Sequence, residues 1–277
     1  MIGINYVGKR KERLANQMFQ YAAVKGIAKN RGYNWCVPPS NWKSSKDDWE
    51  EHQLFQPFKL TSMSSLQIQM IDESRPVVEE KTYHFNEDLF NNCPDFVSLL
   101  GFFQSEKYFL NVRDELIEDF TFLDEIADPC KEMMGGVDNP IALHVRRTDY
   151  VQYKHHPIVD INYYKEALSK FDSDRTVVIF SDDPSWCMEQ SLFSDDRFIV
   201  SQANNQYVDL CLMTMCSDFI IANSSFSWWG AWLSTNKDKR VIAPSKWFGP
   251  PLDAQNDTKD LYCNCLLYTS PSPRDRG

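Results

Sequence analysis

Residues 140–244 alternate short apolar runs with amphipathic segments, and this alternation constrains the fold more than any other feature of the sequence. The apolar runs are predicted as strands, at 141–145, 176–180, 198–200, 219–222 and 240–243. The segments between them are predicted as helices, at 162–171, from 184 onward, at 206–216 and at 226–234. Strands that are apolar throughout and separated by helices are typical of a parallel sheet covered on both faces. The second half of the chain is therefore predicted to be a Rossmann-like α/β domain.

The first half carries a weaker form of the same pattern. Strands are predicted at 2–7, 35–37 and 96–103, and helices at 15–31 and 106–122. Residues 39–80 are polar and irregular, and the Gly135-Gly136 pair is typical of a hinge. We therefore expect two α/β domains that face each other across a cleft, over residues 1–135 and 136–264.

Charge and apolar content exclude several classes of protein. The 277 residues carry 29 basic and 39 acidic side chains, a net charge of −10, which argues against binding to nucleic acid or anionic membrane. No apolar stretch approaches the roughly 18 residues of a membrane span, and the N-terminus lacks a basic-then-apolar signal. The eight cysteines form no C-x-x-C pair and are interpreted as buried reduced thiols. We expect a cytoplasmic protein.

The first polar segment that points to a binding site follows the predicted strand 141–145. Residues 144–150 read His-Val-Arg-Arg-Thr-Asp-Tyr. Ligands of open parallel sheets bind beyond the carboxyl ends of the strands, and an arginine binds phosphate through two parallel hydrogen bonds. Because side chains alternate along a strand end, Arg146 and Arg147 are expected to diverge, one toward a ligand and the other toward a carboxylate such as Asp149. A purely structural salt bridge is the alternative.

The second segment joins the predicted strand 219–222 to the next helix. Residues 223–230 read Asn-Ser-Ser-Phe-Ser-Trp-Trp-Gly. One serine is enough to cap the helix, so Ser224, Ser225 and the Phe226 turn are predicted to hold an anion at the helix N-terminus. Capping together with core packing is the alternative.

Two further segments carry weaker signals. Asp183 is predicted to cap a helix that starts at Pro184, which leaves Asp182 free to accept hydrogen bonds from a ribose or a base. Asn16 and Gln17 lie between the first strand and the first helix, where a sugar or phosphate is commonly held; helix capping is the alternative.

A metal site is not predicted. Residues 172–174 read Asp-Ser-Asp and match the D-x-D letters of metal-dependent sugar transferases. They follow a helix and precede a strand, whereas a metal-holding D-x-D follows an apolar strand. We interpret them as a solvated turn and expect neither metal nor cofactor.

Taken together and in this order, the segments resemble the bacterial α-1,2-fucosyltransferases of glycosyltransferase family 11. The matching stretches are residues 13–22, 101–109, 144–151, 180–183, 221–233 and 243–248. The resemblance covers almost everything from residue 2 to about residue 263.

This resemblance implies a GT-B-like fold and the metal-independent, inverting transfer of L-fucose from GDP-β-L-fucose to a galactoside hydroxyl of a surface glycan, with an α-1,2 linkage. The first domain would face the acceptor and the second would bind the donor, with the protein cytoplasmic or peripheral at the inner membrane. The implied donor-binding residues are His144, Arg146, Asp182, Ser224, Ser225, Phe226 and Gln17. The implied catalytic residues are Arg146, which neutralises the diphosphate, Asn16 beside the fucose, and Asp149 as the candidate base.

Two departures from the family pattern stand out. Glu12 and Ala15 replace glycines of the first loop. Residues 265–277 are rich in Pro and Ser and resemble translated cloning sequence, so we expect a non-native, disordered tail after a truncated transferase. A glycan-binding protein that stacks sugars on its tryptophans, and a transferase that uses another sugar nucleotide, remain the alternative functions.

Overall fold

The computed structural model describes residues 1–5, 7, 13–40, 51–60, 63–151, 156–250, 252, 257–262 and 268–270. The chain divides into two compact units. The first comprises Met1–Leu123 and Asn256–Cys263, and the second comprises Asp124–Gln255 and Asn264–Gly277. Each unit contains a parallel sheet of its own.

The first unit contains a four-stranded sheet in the order β2-β1-β4-β3, with every pair parallel. Its elements are β1 (Ile2–Gly3), α1 (Leu14–Arg31), β2 (Trp35–Cys36), β3 (Val77–Glu79), α2 (Glu87–Asn92), β4 (Ser98–Leu100) and α3 (Arg113–Asp119). The helix predicted over 106–122 is wrong in part, because two 3-10 turns, Glu106–Tyr108 and Leu110–Val112, precede α3. These turns let the chain bend where it packs against α1.

Helix α1 is the core of the first unit and follows the predicted 15–31 closely. It is buried along most of its length and ends at Gly32, as predicted. The buried carboxylate of Asp119 accepts a hydrogen bond of 2.8 Å from the Tyr21 hydroxyl and pairs with Lys25 at 2.5 Å. At Gly26 a Cβ atom would lie 2.0 Å from the Tyr108 carbonyl oxygen. Only glycine therefore permits this approach of helix and turn.

The second unit confirms the predicted alternation of strands and helices. Its elements are α4 (Asp124–Met134), β5 (Ile141–Val145), α5 (Ile161–Leu168), β6 (Val177–Ser181), α6 (Pro184–Glu189), β7 (Phe198–Val200), α7 (Gln206–Thr214), β8 (Asp218–Ile220), α8 (Ser225–Leu233), β9 (Val241–Pro244) and β10 (Tyr268–Ser270). The sheet order is β10-β9-β8-β5-β6-β7, and all pairs are parallel. The chain winds one way from β5 to β7 and the other way from β8 to β9, which is the doubly wound topology.

The unit boundary lies before α4 and not at residue 135, where the glycine pair suggested it. Ile126 and Cys130 of α4 are buried, and the Cys130 thiol lies 3.7 Å from the Val208 carbonyl oxygen of α7. The helix before the glycines therefore packs into the second unit.

Three residues of the segment 265–277, which was expected to be disordered, form a strand. Tyr268–Ser270 form β10, in parallel register with Ile242–Pro244 of β9. Edge strands of a sheet present backbone groups that pair with any extended segment nearby, and composition does not reveal such pairing. The remaining residues of 265–277 lie outside the described part of the chain.

The tryptophans of α8 belong to the core. Trp228, Trp229 and Trp232 form one aromatic cluster with ring centroids 5.0–6.2 Å apart, and each is at most 1% exposed. They offer no surface on which a sugar could stack. Every described cysteine is buried and free.

Candidate active site

The candidate site of the second unit lies where its sheet changes winding direction. Strand β5 pairs with β6 on one side and with β8 on the other. The crevice at the carboxyl ends of two such strands is the usual ligand site of doubly wound sheets. His144 and Arg146 stand at the end of β5, and Asn223 and Ser224 follow β8. The topology thus brings together two segments that the sequence places about 80 residues apart.

The segment after β8 forms the N-terminus of α8. Ser224 is the N-cap, and its hydroxyl accepts a hydrogen bond of 3.4 Å from the Phe226 amide. Ser225 begins the helix and takes no part in this capping bond. A nine-residue helix presents its partial positive charge at this end. The arrangement suits an anion.

Asn223 adds a polar group beside this helix start. The residue is 1% exposed, and its side-chain nitrogen donates to the carbonyl oxygens of Pro157 at 3.1 Å and Trp247 at 2.9 Å. The Tyr150 hydroxyl donates to the Asn223 carbonyl oxygen at 3.0 Å. Within the described residues, Asn223 Oδ1 has no hydrogen-bond partner. A buried acceptor in this state is costly unless another molecule supplies a donor.

Arg146 is held by two carboxylates. One guanidinium nitrogen lies 2.5 Å from Asp149 and the other 3.0 Å from Asp182. The Arg146 side chain is 19% exposed, that of Asp182 18%, and that of Asp149 40%. Asp149 is therefore the partner that solvent and ligands reach most readily.

Asp182 organises the loop that carries Arg146. Its two oxygens accept hydrogen bonds from the Arg147 amide at 2.8 Å, the Thr148 amide at 3.1 Å and the Thr148 hydroxyl at 2.5 Å. Burial opposes ionisation, but the Thr148 hydroxyl and the Arg146 charge together hold the pKa of Asp182 below its usual value. The prediction that Asp182 is free is wrong. A contact between Asp182 and a nucleotide stays a prediction.

Arg147 diverges from Arg146, and its partner is not Asp149. Its guanidinium lies 3.3 Å from Asp183 and 4.0 Å above the centre of the Trp186 ring. Asp183 also caps α6, because it accepts from the Trp186 amide at 3.2 Å, with Pro184 at the first helical position. The predicted cap is confirmed. Arg147 therefore fastens the loop to α6.

His144 is a neutral, buried group of the site. Its Nδ1 lies 2.9 Å from the Ser227 hydroxyl, and its ring lies 5.6 Å from that of Phe226. Burial, reinforced by the Arg146 charge, holds the pKa of His144 far below its usual value. The histidine thus links β5 to α8 and carries no charge at neutral pH.

The first unit carries the other predicted site residues. Asn16 Oδ1 accepts a hydrogen bond of 2.8 Å from the Gln104 side chain. Gln17 is fully buried; its oxygen accepts from the Gln53 amide at 2.7 Å, and its nitrogen donates to the Glu51 carbonyl oxygen at 2.8 Å. Gln17 therefore anchors the segment that follows residue 50, and its predicted contact with the donor stays a prediction. Glu12 lies outside the described residues.

Sequence reasoning assigned no role to two residues of this region. The Gln104 side chain donates a hydrogen bond to Asn16 Oδ1. The Glu80 carboxyl group accepts a hydrogen bond of 2.6 Å from the Phe103 amide. Gln104 could have been identified from the sequence, because it lies within the family-like stretch 101–109 and its carboxamide requires hydrogen-bond partners when it is buried. Nothing in the sequence distinguishes Glu80 from its exposed neighbour Glu79.

The comparison with known families decides the assignment. The sequence pattern of Glycosyl transferase family 11 matches residues 3–261. The chain belongs to this family. The resemblance read from its motifs is thereby confirmed, and the polar segments described above lie within the matched range.

Several curated proteins are similar to this family 11 chain. It is 31% identical to the O-antigen biosynthesis glycosyltransferase WbnK of Escherichia coli, over 61% of each protein. It is 30% identical to an alpha-1,2-colitosyltransferase of Escherichia coli, over 85% of this chain and 89% of the relative. It is 26% identical to galactoside 2-alpha-L-fucosyltransferase SEC1 of Bos taurus, over 81% of this chain and 63% of the relative. The chain thus spans less than two thirds of WbnK and of SEC1.

Solved structures support the fold. POFUT1 in complex with GDP superposes with a TM-score of 0.52 at 11% identity, over 87% of this chain and 98% of that one. The fucosyltransferase NodZ from Bradyrhizobium gives 0.52 at 10% identity, over 83% and 91%. The α/β fold of this chain is therefore GT-B-like, as predicted. Among the described helices, none is long and apolar enough to cross a membrane.

Proposed function

We propose that this family 11 chain transfers L-fucose from GDP-β-L-fucose to a galactoside hydroxyl, forming an α-1,2 linkage with inversion at C1. The second unit holds the donor, and the first unit holds the acceptor. The observation that carries this proposal is that Arg146 and the N-terminus of α8 follow the neighbouring parallel strands β5 and β8, at the winding switch of the sheet. A guanidinium and a helix start placed together suit a diphosphate.

The proposed mechanism depends on the negative charge that develops on the departing GDP. The bond between C1 of fucose and the β-phosphate oxygen breaks, the acceptor oxygen bonds to C1 from the opposite face, and GDP leaves with the added negative charge. Arg146 and the Ser224–Phe226 turn stabilise that charge more strongly in the transition state than in the ground state. His144 contacts α8 through the Ser227 hydroxyl, next to this turn. Asn16, fixed by Gln104, binds the sugar side of the donor.

Asp149 links donor binding to proton removal in this scheme. A diphosphate that takes Arg146 as its partner competes with Asp149, the more exposed of the two carboxylates on that arginine. The displaced carboxylate is then free to accept the proton of the acceptor hydroxyl. Such a base contributes about 10²–10⁴-fold to a rate.

The test is a panel of nucleotides and sugars. GDP and GDP-fucose should raise the melting temperature, since a ligand that binds only the native state stabilises it; UDP and CDP sugars serve as matched controls. Incubation with GDP-fucose and a β-galactoside should then release GDP and yield an α-1,2-fucoside, identified by NMR. Stabilisation by a galactoside alone, with no response to GDP, would identify a glycan-binding protein instead. The buried tryptophan cluster of α8 argues against that outcome.

Colitose is the second candidate sugar, because a relative that covers most of this chain is an alpha-1,2-colitosyltransferase. Colitose is L-fucose without its 3-hydroxyl group. A site that hydrogen-bonds a hydroxyl rejects the analogue lacking it by about 10⁴–10⁵-fold, whereas an apolar site discriminates little. The ratio of kcat/KM for the two GDP-linked sugars therefore decides between the candidates.

A further inference from the structure

We propose that a pocket at the carboxyl edge of the first unit's sheet binds a neutral saccharide, with Tyr83 and Phe102 as its apolar wall. This pocket would be the acceptor subsite, and the assignment to an acceptor rests on the function proposed above. The proposal that the pocket binds a saccharide is independent of that function, and saccharide binding can be measured without the donor.

The pocket lies where two neighbouring parallel strands end. Strands β3 and β4 pair in register up to Glu79 and Leu100, and the Glu80 amide donates to the Leu100 carbonyl oxygen at 2.8 Å. The chain segments that leave these two strands line a solvent-open pocket of about 270 Å³, formed by Glu79, Glu80, Lys81, Thr82, Tyr83 and Phe102. Drug-sized ligands occupy cavities of roughly 300–1,000 Å³. This cavity therefore suits a group no larger than one or two sugar rings.

The lining combines the two features that a sugar requires. The rings of Tyr83 and Phe102 stack with centroids 5.5 Å apart and planes 18° apart, and both side chains are half-buried. A rigid aromatic wall of this kind packs against the apolar C–H face of a pyranose at low entropic cost. Lys81 and Thr82 are exposed on the rim and supply donors for hydroxyl groups.

The charges of the pocket favour a neutral ligand. Glu79 and Lys81 are exposed and opposite in charge, so they balance. Glu80 is 7% exposed, and burial raises its pKa to about 8, so this carboxyl group is largely protonated at neutral pH. A sialylated or sulfated sugar would find no uncompensated positive charge here.

The wall of the pocket is held rigidly and is connected to Asn16. Gln20 of α1 donates to the Gly101 carbonyl oxygen at 3.0 Å, and Glu80 accepts the Phe103 amide at 2.6 Å. Phe103 has a positive φ of 52°, which a bulky residue adopts only when its surroundings enforce it. The next residue, Gln104, bonds Asn16. One turn thus carries both the saccharide wall and the group that fixes a predicted donor contact.

The first experiment compares Phe102→Leu with the matched control Phe96→Leu. Phe96 belongs to the same unit, is 52% exposed and lies outside the pocket. Leucine keeps the apolar bulk and removes the aromatic face. We expect Phe102→Leu to raise the KM for a β-galactoside about two- to tenfold, whereas Phe96→Leu should leave this KM at the wild-type value. An unchanged acceptor KM in a folded Phe102→Leu protein would overturn the proposal.

A second experiment needs neither activity nor the Phe102 variant. Saturation-transfer NMR on the wild-type protein should show contact between a neutral galactoside disaccharide and the aromatic protons, and this signal should weaken in the exposed-site variant Thr82→Val. A sialylated form of the same disaccharide should give a clearly weaker signal. Equal signals for neutral and sialylated sugars, or none for either, would contradict the subsite. A saccharide signal in a protein that GDP does not stabilise would instead refute the donor assignment and leave the subsite standing.

Discussion

The two units build their carboxyl edges from different chemistry. In the second unit the edge carries ion pairs: Arg146 pairs with Asp149 and Asp182, and Arg147 pairs with Asp183. In the first unit, carboxamides form a hydrogen-bond network near the edge, beside the pocket that Glu79, Glu80 and Lys81 line. Gln104 bonds Asn16, Gln20 bonds the turn at residue 101, and Gln17 bonds the backbone at residues 51 and 53.

This difference matches what each edge is proposed to bind. A diphosphate carries charge that a guanidinium and a helix terminus neutralise. Sugar hydroxyl groups donate and accept hydrogen bonds without charge, and a carboxamide does both. Charged pairs exchange partners when an ionic ligand arrives, whereas an amide network holds its geometry. The charged edge is therefore the adaptable one, and the amide edge is the preorganised one.

The largest expected effect comes from removing the central charge of the second unit. Arg146→Ala should lower kcat/KM for transfer by about 10²–10³-fold, the size of a lost oxyanion donor. The matched control is Arg147→Ala, which should lower the free energy of unfolding by about 1 kcal/mol through the lost Trp186 and Asp183 contacts, with kcat retained. Steady-state kinetics and chemical denaturation of both variants check this. Similar losses of kcat in the two variants would show that the arginines share one structural role.

The second prediction tests whether the diphosphate displaces Asp149 from Arg146. In Asp149→Asn the diphosphate no longer competes with a carboxylate, so GDP should bind several-fold more tightly by calorimetry. The same change should lower kcat about 10²-fold if Asp149 takes the acceptor proton. Weaker GDP binding would mean that Asp149 positions Arg146 for the donor and is not displaced by it.

Sequence reasoning reached the charged edge because its strands are buried on both faces. Strand β5 and the N-terminus of α8 were predicted within one residue, and the polar residues after them were identified as site candidates. Their pairing was not predictable, because the bond from the Arg147 amide to Asp182 joins residues 35 apart. Loop closure over that distance depends on the folded sheet and not on local pattern.

At the amide edge, sequence reasoning identified Asn16 and Gln17 as site candidates but missed the contacts of Glu80 and Gln104, for a physical reason. Strand β3 lies at the sheet edge with Val77 and Glu79 exposed, so it lacks the apolar run that marks a buried strand. The contacts that give Glu80 and Gln104 their roles span 23 and 88 residues. An edge strand and long-range amide bonds leave almost no periodic signal.

The third prediction concerns the helices that begin at the two edges, α1 and α8. Each has a glycine where another element approaches closely. An added Cβ at Gly26 would lie 2.0 Å from a backbone oxygen, and one at Gly230 would lie 2.2 Å from the Met213 sulfur. The backbone near Gly26 cannot move without disturbing the packing of α1, whereas the flexible Met213 side chain can adopt another rotamer. Gly26→Ala should therefore cost about 3 kcal/mol of unfolding free energy, and Gly230→Ala about 1 kcal/mol or less. Equal costs from thermal and chemical denaturation would contradict this account of the two helices.

The smallest effect on stability at pH 5 is expected at Glu80, a carboxyl group buried at the amide edge, because its contribution to the free energy of unfolding changes only as the pH rises. Its pKa is raised from 4.5 to about 8 by burial, so the folded state holds the proton more tightly than the unfolded state. The stabilising contribution is fully present below pH 4.5 and is lost as the pH rises toward 8. Glutamine resembles the protonated group, so Glu80→Gln should match the wild type near pH 5. It should lack the wild-type fall in unfolding free energy between pH 5 and 8, which is at most about 1.4 kcal/mol per pH unit.

Denaturant titrations at pH 5, 6, 7 and 8 measure this slope, and the exposed neighbour provides the control. Glu79→Gln removes an exposed carboxylate from the same pocket, so its pH dependence should follow the wild type. A Glu80→Gln protein that keeps the wild-type slope would place the titrating group elsewhere. The amide edge would then hold a buried ionised carboxylate, and the contrast between an edge of ion pairs and an edge of neutral amides would fail at Glu80.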